Sequence, residues 1–299
     1  MPAGRKPTYR SKRLGALLKQ YRIAAELDQD DAAAAIKGST TKISRLESGH
    51  VSARPLEVDV LLTRYGIKDD LERARLEKLA MESTKRGWWL DFRSVKDGYA
   101  EVIALERDAR RLCSWYPNGF PGAFQSDGYM ERIITSGPKK LPAEEIAELI
   151  EVRRQRRTRI VDSGVQLSVV VWAPAITGLF DDNATDDAHP DVHQTHQEQL
   201  EHVLTMCEAE NVSLQVLPEH AVVLAGMSAQ FTAYTFDAAA DFEAVTIEGL
   251  TTCQVIEEAE DLSSYMNLFD ALRSAALPPD ASVRFIRETL EGTGSHGHP

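Results

Sequence analysis

Residues 32–49 read AAAAIKGSTTKISRLESG. Four alanines lead into a turn at Gly38, and the next segment carries Ile43 and Leu46 three residues apart before it reaches Gly49. Glycine tolerates the left-handed conformation that ends many helices, and a hydroxyl at position 39 or 40 can cap the following helix. The small alanines let the first helix pack closely against the second. Two helices joined by a short turn that contains glycine are the sequence form of a helix-turn-helix.

The flanking residues extend this unit to five helices. From Lys12 onward, apolar residues recur at the spacing of one helical face, and Asp28 can cap the next helix. Further helical patterns cover residues 29–36, 55–65 and 69–84. We predict an all-α helix-turn-helix domain over residues 12–86, preceded by a flexible basic arm over residues 1–11.

The second helix of the motif presents short polar side chains on its outward face, because Ile43 and Leu46 turn inward. This is where a recognition helix meets base edges. An arginine can reach guanine O6 and N7 with two hydrogen bonds, hydroxyls can bond bases or phosphates, and Lys42 suits phosphate oxygens. The alternative is a solvated face with good capping chemistry. The outward candidates are Thr40, Thr41, Ser44 and Arg45.

The segments RLGALLKQYRIAAELDQDDAAAAI (13–36) and TTKISRLESGH (40–50) resemble the helix-turn-helix of the lambda-Cro/repressor type, the xenobiotic-response-element family. The resemblance covers residues 12–66. It implies that His50, just past the second helix, meets a backbone phosphate. The base readers that it implies are Thr40, Thr41 and Arg45, with Ser44 adjacent.

Gln29 matches the glutamine that begins the first helix of the motif in that family, but Asp30 and Asp31 follow it where the family usually has apolar residues. Two carboxylates would repel a phosphate backbone unless they serve the dipole of their own helix, which is the role we favour. Counting the basic residue near the chain start, the predicted contacts to double-stranded DNA are Arg13, Gln29, Lys42, His50 and the four outward residues.

The charges divide the chain in two. Residues 1–86 hold 18 Lys+Arg and 12 Asp+Glu, whereas residues 87–299 hold 16 and 34. Only the N-terminal part therefore suits nucleic acid. The apolar runs are too short for a membrane span, and no secretory signal is expected. Three separated cysteines fit free thiols, so we expect a cytoplasmic protein that associates with the nucleoid when bound to DNA.

β-type runs follow the N-terminal domain, at residues 165–172, 212–218, 230–236 and 244–249. Helices are predicted around them, at residues 98–113, 142–162, 191–209, 254–276 and 279–290, with a loop at 114–125. This pattern predicts a larger α+β domain over residues 87–290 and a disordered tail over residues 291–299. Trp88 and Trp89 suit either a core or a dimer interface.

The acidic part shows no catalytic set of residues. Residues 141–299 contain no lysine, which excludes a serine–lysine dyad within them. His193 and His196 have a spacing that can hold a metal, but no HExxH motif accompanies them, and we favour an exposed helix start. We predict no enzyme activity, no cofactor and no metal.

The run VRRQRRTR (152–159) is a basic island in this acidic part. Such a run is commonly a solvated helix face. Alternatively, its arginines bind an acidic partner or an anionic ligand by paired hydrogen bonds, beside an apolar pocket formed by an aromatic loop. The residues named for this partner or ligand site are Arg153, Arg156, Arg157, Trp115, Phe120 and Phe124.

Residues 88–290 resemble the effector domain of the WhiJ-like, antitoxin-like regulators of actinobacteria. The likeness rests on WW (88–89), ALERDARRL (104–112), PGAFQSDGYM (121–130), RRQRR (153–157), EQLEHVL (198–204), VSLQVLP (212–218), FTAYTF (231–236) and LFDALRSAALPPDAS (268–282). The family more often has PGLLQT at residues 121–126. The resemblance implies a regulator tuned by a small protein encoded by an adjacent gene.

These observations predict a sequence-specific DNA-binding transcriptional regulator. We expect a homodimer, because one module makes few base contacts and a two-fold protein reads a pseudo-palindrome. The C-terminal domain is expected to bind the small protein partner. The alternative is a ligand-responsive transcription factor whose C-terminal domain binds a small anionic or apolar metabolite.

Overall fold

The computed structural model describes residues 9–84, 87–137, 140–178, 191–236, 243–249 and 252–294. The chain forms two compact units, Met1–Asp91 and Phe92–Pro299. Residues 1–8, which make up most of the predicted basic arm, lie outside the described residues.

Unit 1 contains the five predicted helices. They are α1 (Tyr9–Ala24), α2 (Gln29–Ala35), α3 (Thr40–Glu47), α4 (Pro55–Arg64) and α5 (Asp70–Thr84), followed by a short 3-10 helix at Trp88–Asp91. The first helix begins at Tyr9, three residues before the predicted start at Lys12 and inside the segment assigned to the flexible arm. The all-α helix-turn-helix architecture predicted for the N-terminal part is confirmed.

The turn between α2 and α3 differs in one detail from the prediction. Asp28 caps α2 as expected, in a reciprocal capping box with Asp31. The residue with a left-handed backbone is Lys37, with φ of 51°, and not Gly38. The amide of Gly38 instead donates a hydrogen bond to the carbonyl of Ala33 at 2.8 Å. Lysine adopts this conformation at a cost because its Cβ crowds the backbone.

The start and end of α3 follow the sequence signals. Ser39 is the cap, and its hydroxyl accepts a hydrogen bond from the amide of Lys42 at 3.2 Å. Gly49 lies just past the helix with φ of 75°, a conformation that favours glycine.

The core of unit 1 is built from all five helices. Of the four alanines predicted to allow close packing, only Ala32 and Ala33 are buried, whereas Ala34 is exposed. The helical period of 3.6 residues cannot direct four consecutive side chains to one side. Other buried core residues are Leu14, Leu18, Ile43, Leu46, Val58, Leu61, Leu62, Leu76 and Ala80.

Unit 2 is a mixed sheet with helices, which confirms the predicted α+β class. Its helices are α6 (Asp97–Asp108), α7 (Asp127–Thr135), α8 (Ala143–Asp162), α9 (Pro174–Thr177), α10 (Asp191–Met206), α11 (Val222–Ala225), α12 (Ala259–Ala275) and α13 (Pro279–Gly294). Its strands are β1 (Arg111–Tyr116), β2 (Gln166–Trp172), β3 (Val212–Leu217), β4 (Phe231–Thr235), β5 (Ala244–Glu248) and β6 (Cys253–Ile256).

The strand order is β3-β2-β1-β4-β5-β6. β1 pairs with β2, and β2 with β3, in parallel. β4 pairs with β1, β5 with β4 and β6 with β5, and these three pairs are antiparallel. β1 is therefore the central strand at which the parallel and antiparallel halves meet.

Two strands were missed in the sequence. Residues 111–116, predicted as the end of a helix and the start of a loop, form β1, and residues 253–256 form β6 rather than the start of a helix. A central strand is buried on both faces, so its apolar run lacks the alternation that marks a half-exposed strand. β6 has only four residues, too few to show a period.

The last helix is longer than predicted. α13 runs to Gly294, so residues 291–294, assigned to the tail, are helical, and residues 295–299 lie outside the described part of the chain. Trp89 is buried and Trp88 is half-buried, with their rings edge to face at 5.9 Å between centroids. Among the described residues, no helix is both long and apolar enough to cross a membrane.

Candidate nucleic-acid interface

A buried ion pair joins the helices of the helix-turn-helix. Arg22 of α1 meets Glu47 of α3 through two hydrogen bonds, Nε to Oε1 at 2.6 Å and Nη2 to Oε2 at 3.0 Å. The side-chain amide of Gln29, at the start of α2, donates to the same carboxylate at 2.9 Å. The hydrogen bond to Glu47, opposed by burial, raises the pKa of Arg22. The network fixes α3 against both preceding helices.

Glycines allow α1 and α3 to approach closely. A Cβ on Gly15 of α1 would lie 2.3 Å from the backbone oxygen of Leu46, and a Cβ on Gly49 would lie 2.7 Å from the Cα of Lys12. Only residues without a side chain fit at these two points. The first turns of α1, which carry the half-buried Arg13, therefore lie against the C-terminal end of α3.

An exposed polar stripe runs along α3 on the side away from the core. Thr41, Ser44 and Arg45 are exposed, and within the described part of the chain no hydrogen bond or ion pair involves their side chains. Ser48, which is also exposed, continues the stripe one turn later and was not among the predicted contacts. The spacing of residues 41, 44, 45 and 48 follows one helical face and is the signal that could have identified it.

Two other predicted contacts on α3 already have acidic partners. The hydroxyl of Thr40 donates to Oδ1 of Asp30 at 2.6 Å. Nζ of Lys42 donates to Oε1 of Glu57, on the first turn of α4, at 2.5 Å. Both residues were predicted as DNA contacts, and the structure gives each of them an intramolecular partner from a flanking helix.

The other predicted contacts lie at different places. Gln29 contributes its amide to the buried Arg22–Glu47 pair. His50 is exposed just past α3, and its Nδ1 lies 3.0 Å from the hydroxyl of Ser48. Ser48 in turn donates to the carbonyl of Ser44 at 2.8 Å.

The two carboxylates at the start of α2 have local roles. Asp31 accepts a hydrogen bond from Arg64 at 3.0 Å and completes the capping box with Asp28. Its hydrogen bond with the backbone of Asp28, together with Arg64, lowers its pKa. This arrangement fits the predicted role at the helix N-terminus, and the neighbouring Asp30 is the partner of Thr40.

Comparison with protein families explains both units. Residues 13–76 match a helix-turn-helix domain family, and residues 99–288, well over half of the chain, match the family described as "Domain of unknown function (DUF5753)". The chain belongs to the DUF5753 family. The helix-turn-helix domain indicates a DNA-binding regulator. No curated protein and no solved structure matches the chain.

In the DUF5753 region, Arg156 is not available to a partner or ligand, contrary to the prediction. It is buried, and its guanidinium pairs with both oxygens of Glu106, Nη2 to Oε1 at 2.5 Å. The guanidinium also lies over the ring of Tyr99, 5.2 Å from its centroid. The reason is that a buried arginine without a partner is costly, and Glu106 of α6 provides one.

Three other arginines of α8, at positions 153, 154 and 157, bind Gln125 and the first residue of α7. Nη1 of Arg153 donates to Oε1 of Gln125 at 2.8 Å, and Nη1 of Arg157 donates to the carbonyl of the same residue at 2.8 Å. Asp127 accepts from Arg157 at 3.1 Å and from Arg154 at 3.0 Å. The basic island is therefore neither a plain solvated face nor a set of uncommitted cations.

The three aromatic residues predicted to line a pocket are core residues instead. Trp115 lies within β1 and not in a loop, and it is fully buried, as are Phe120 and Phe124. Large aromatic side chains that are buried in this way stabilise a fold by their contact area. These three side chains are therefore not exposed to a metabolite, contrary to the prediction.

His196 is also buried rather than exposed. Its Nε2 donates to the carbonyl of Ile176 at 2.8 Å. Among the described residues, no group of three or more histidine, cysteine or acidic side chains is placed to hold a metal ion.

Proposed function

We propose that the chain is a sequence-specific transcriptional regulator of the lambda-Cro/repressor type, in which α3 enters the major groove of DNA. The observation that supports this most is the exposed stripe of Thr41, Ser44 and Arg45, whose side chains have no partner among the described residues. A helix that is held rigidly on one side and offers unpaired donors on the other suits base readout.

The roles of the three side chains follow from their chemistry. Arg45 reaches guanine O6 and N7, or a phosphate, and the hydroxyls of Thr41 and Ser44 bond base edges within a shorter reach. Three contacts from one module give little discrimination, so the proposal includes a homodimer on a two-fold site.

The acidic DUF5753 unit is proposed as the regulatory part, bound by a small protein encoded by an adjacent gene. Its size and its net negative charge argue against a direct role in DNA binding. The WhiJ-like resemblance favours a protein partner. The proposal includes no catalytic activity.

The test begins with selection of duplexes from a random pool by the purified full-length protein. Gel shifts of the selected duplex against a scrambled one, each with excess competitor DNA, then measure sequence preference. The selected sequence is expected to show two-fold symmetry and about 10³-fold or greater preference over scrambled DNA at physiological salt. Failure to enrich any sequence would refute the proposed function.

The regulatory part is tested in the same gel shift. The product of each adjacent gene is added to the complex with the selected duplex. A change in affinity, in either direction, supports the proposed partner. Binding that no adjacent product alters would refute partner regulation and leave DNA recognition intact.

A further inference from the structure

Lys42 is the one predicted cationic contact on the first turn of α3, and its charge is taken up by Glu57. The two side chains lie at 2.5 Å between Nζ and Oε1. The lysine side chain is 36% exposed and the glutamate side chain only 17%, so the lysine reaches inward to an acid that is already in place.

Glu57 is held independently of Lys42. Its Oε2 accepts a hydrogen bond from the backbone amide of Arg54 at 3.2 Å and so caps α4. Burial raises the pKa of Glu57, but the hydrogen bonds from Lys42 and from the amide of Arg54 outweigh burial and lower it. The carboxylate is therefore ionised at neutral pH and competes with DNA phosphate for the same ammonium.

This pairing separates Lys42 from the stripe of Thr41, Ser44 and Arg45. A lysine that neutralises a phosphate releases counterions and strengthens binding to DNA of any sequence. A lysine that must first leave a carboxylate loses much of that gain. Glu57 is positioned by its cap of α4, and Lys42 lies beside a carboxylate that is there whether or not the lysine pairs with it.

We propose that Glu57 is an electrostatic brake on DNA binding, which acts by withholding Lys42 from a backbone phosphate. The inference rests on the proposed function and adds a positioning residue to it. The stripe of Thr41, Ser44 and Arg45 still contacts the bases, while the pairing of Lys42 with Glu57 lowers the affinity that does not depend on DNA sequence. With a lower non-specific affinity, a smaller fraction of the protein is bound to unrelated DNA.

The test compares the wild type with Glu57→Gln in the full-length protein. Glutamine keeps an acceptor for the amide of Arg54, so the cap of α4 is retained. On both the selected and the scrambled duplex, Glu57→Gln is expected to bind about fivefold more tightly at about 100 mM salt. The plot of log affinity against log salt concentration is expected to steepen by about two, one for the Lys42 of each protomer in the proposed homodimer.

Phosphate-by-phosphate neutralisation shows whether Lys42 carries the gain. Single methylphosphonates are placed in turn along the selected duplex. Glu57→Gln is expected to become sensitive, by about twofold at each, to two symmetry-related positions that the wild type tolerates. The double variant Lys42→Met/Glu57→Gln is expected to lose that sensitivity.

The matched control is Glu77→Gln on α5, which removes the same charge from unit 1 without touching Lys42. If Glu77→Gln raises the affinity for DNA equally, the effect of Glu57→Gln comes from net charge alone, and the proposed brake is refuted. The same holds if Glu57→Gln becomes equally sensitive to a methylphosphonate at every position. No gain from Glu57→Gln would refute it as well. If the wild type selects no duplex at all, the proposed function itself fails, which is a different result.

Discussion

Arg22 and Glu47 form a two-point ion pair inside the helix-turn-helix unit, with side-chain exposures of 9% and 5%. The pair joins α1 to α3, and Gln29 adds α2 through the same carboxylate. The orientation of the recognition helix is therefore set by charge as well as by the apolar contacts of Ile43 and Leu46.

Removal of one partner of this pair is expected to destabilise unit 1 strongly. Glu47→Ala leaves the guanidinium of Arg22 buried without its counter-charge, at a cost of about 3–5 kcal/mol. Urea unfolding followed by circular dichroism measures the change. Arg75→Ala, which breaks an exposed i,i+3 pair with Glu72, serves as the control and should cost under about 0.5 kcal/mol. Similar losses for both variants would contradict the assigned role.

Arg45→Ala is expected to weaken binding to the selected duplex by about 1–3 kcal/mol and to relax the choice at one base pair of each half-site. The measurement is a titration against duplexes that carry each single substitution. The control is Lys78→Ala on α5, which removes one positive charge from the same unit and leaves the stripe intact. If Arg45→Ala weakens all duplexes equally, Arg45 contacts a phosphate and not a base.

Gly15→Ala should shift α3 away from α1. Its added methyl would lie 2.3 Å from a backbone oxygen that cannot give way locally. We expect a loss of stability of about 1–3 kcal/mol and a larger loss of DNA affinity than stability alone explains. Gly66→Ala is the comparison, since its methyl meets open space and only the positive φ of 77° opposes it. Full DNA affinity in Gly15→Ala would contradict the close approach.

Arg156→Met should leave the carboxylate of Glu106 buried and unpaired, and cost about 3–5 kcal/mol in unit 2. The double variant Arg156→Met/Glu106→Gln should recover a large part of that loss, because no isolated charge remains. Thermal unfolding of the full chain measures both. A single variant as stable as the wild type would contradict the stabilising role assigned to the buried pair.

Acid pH is expected to weaken unit 2 through His196. Burial lowers its pKa below 6.5, the hydrogen bond to Ile176 acts in the opposite direction, and His193 adds to the lowering. Because the folded pKa lies below the unfolded one, the stabilisation is present above about pH 6.5 and is lost as pH falls towards the folded pKa.

Urea unfolding at about pH 7.5 and about pH 5.5 tests this prediction. The wild type should lose more stability between the two pH values than His196→Gln does. Glutamine can still donate to the carbonyl of Ile176 but does not titrate. Equal losses in the two proteins would rule out His196 as the source.

Much of the architecture could be read from local signals. Asp28, Ser39 and Gly49 mark the ends of α2 and α3, because capping and left-handed turns depend on only a few consecutive residues. β2, β3, β4 and β5 were visible as short segments that contain β-branched and aromatic residues. β1 was not, because its residues are enclosed on both faces by elements distant in sequence.

By itself, the sequence determined the two units, the helix-turn-helix and the outward position of Thr40, Thr41, Ser44 and Arg45, since composition and helical period are local properties. Only the tertiary structure decided which charged residues remain available. Glu57 forms an ion pair with Lys42, and Glu106 forms one with Arg156. Gln125 and Asp127 accept hydrogen bonds from other arginines of α8. Whether a charge is free depends on which distant residue folding brings within hydrogen-bond distance, and no local pattern encodes that.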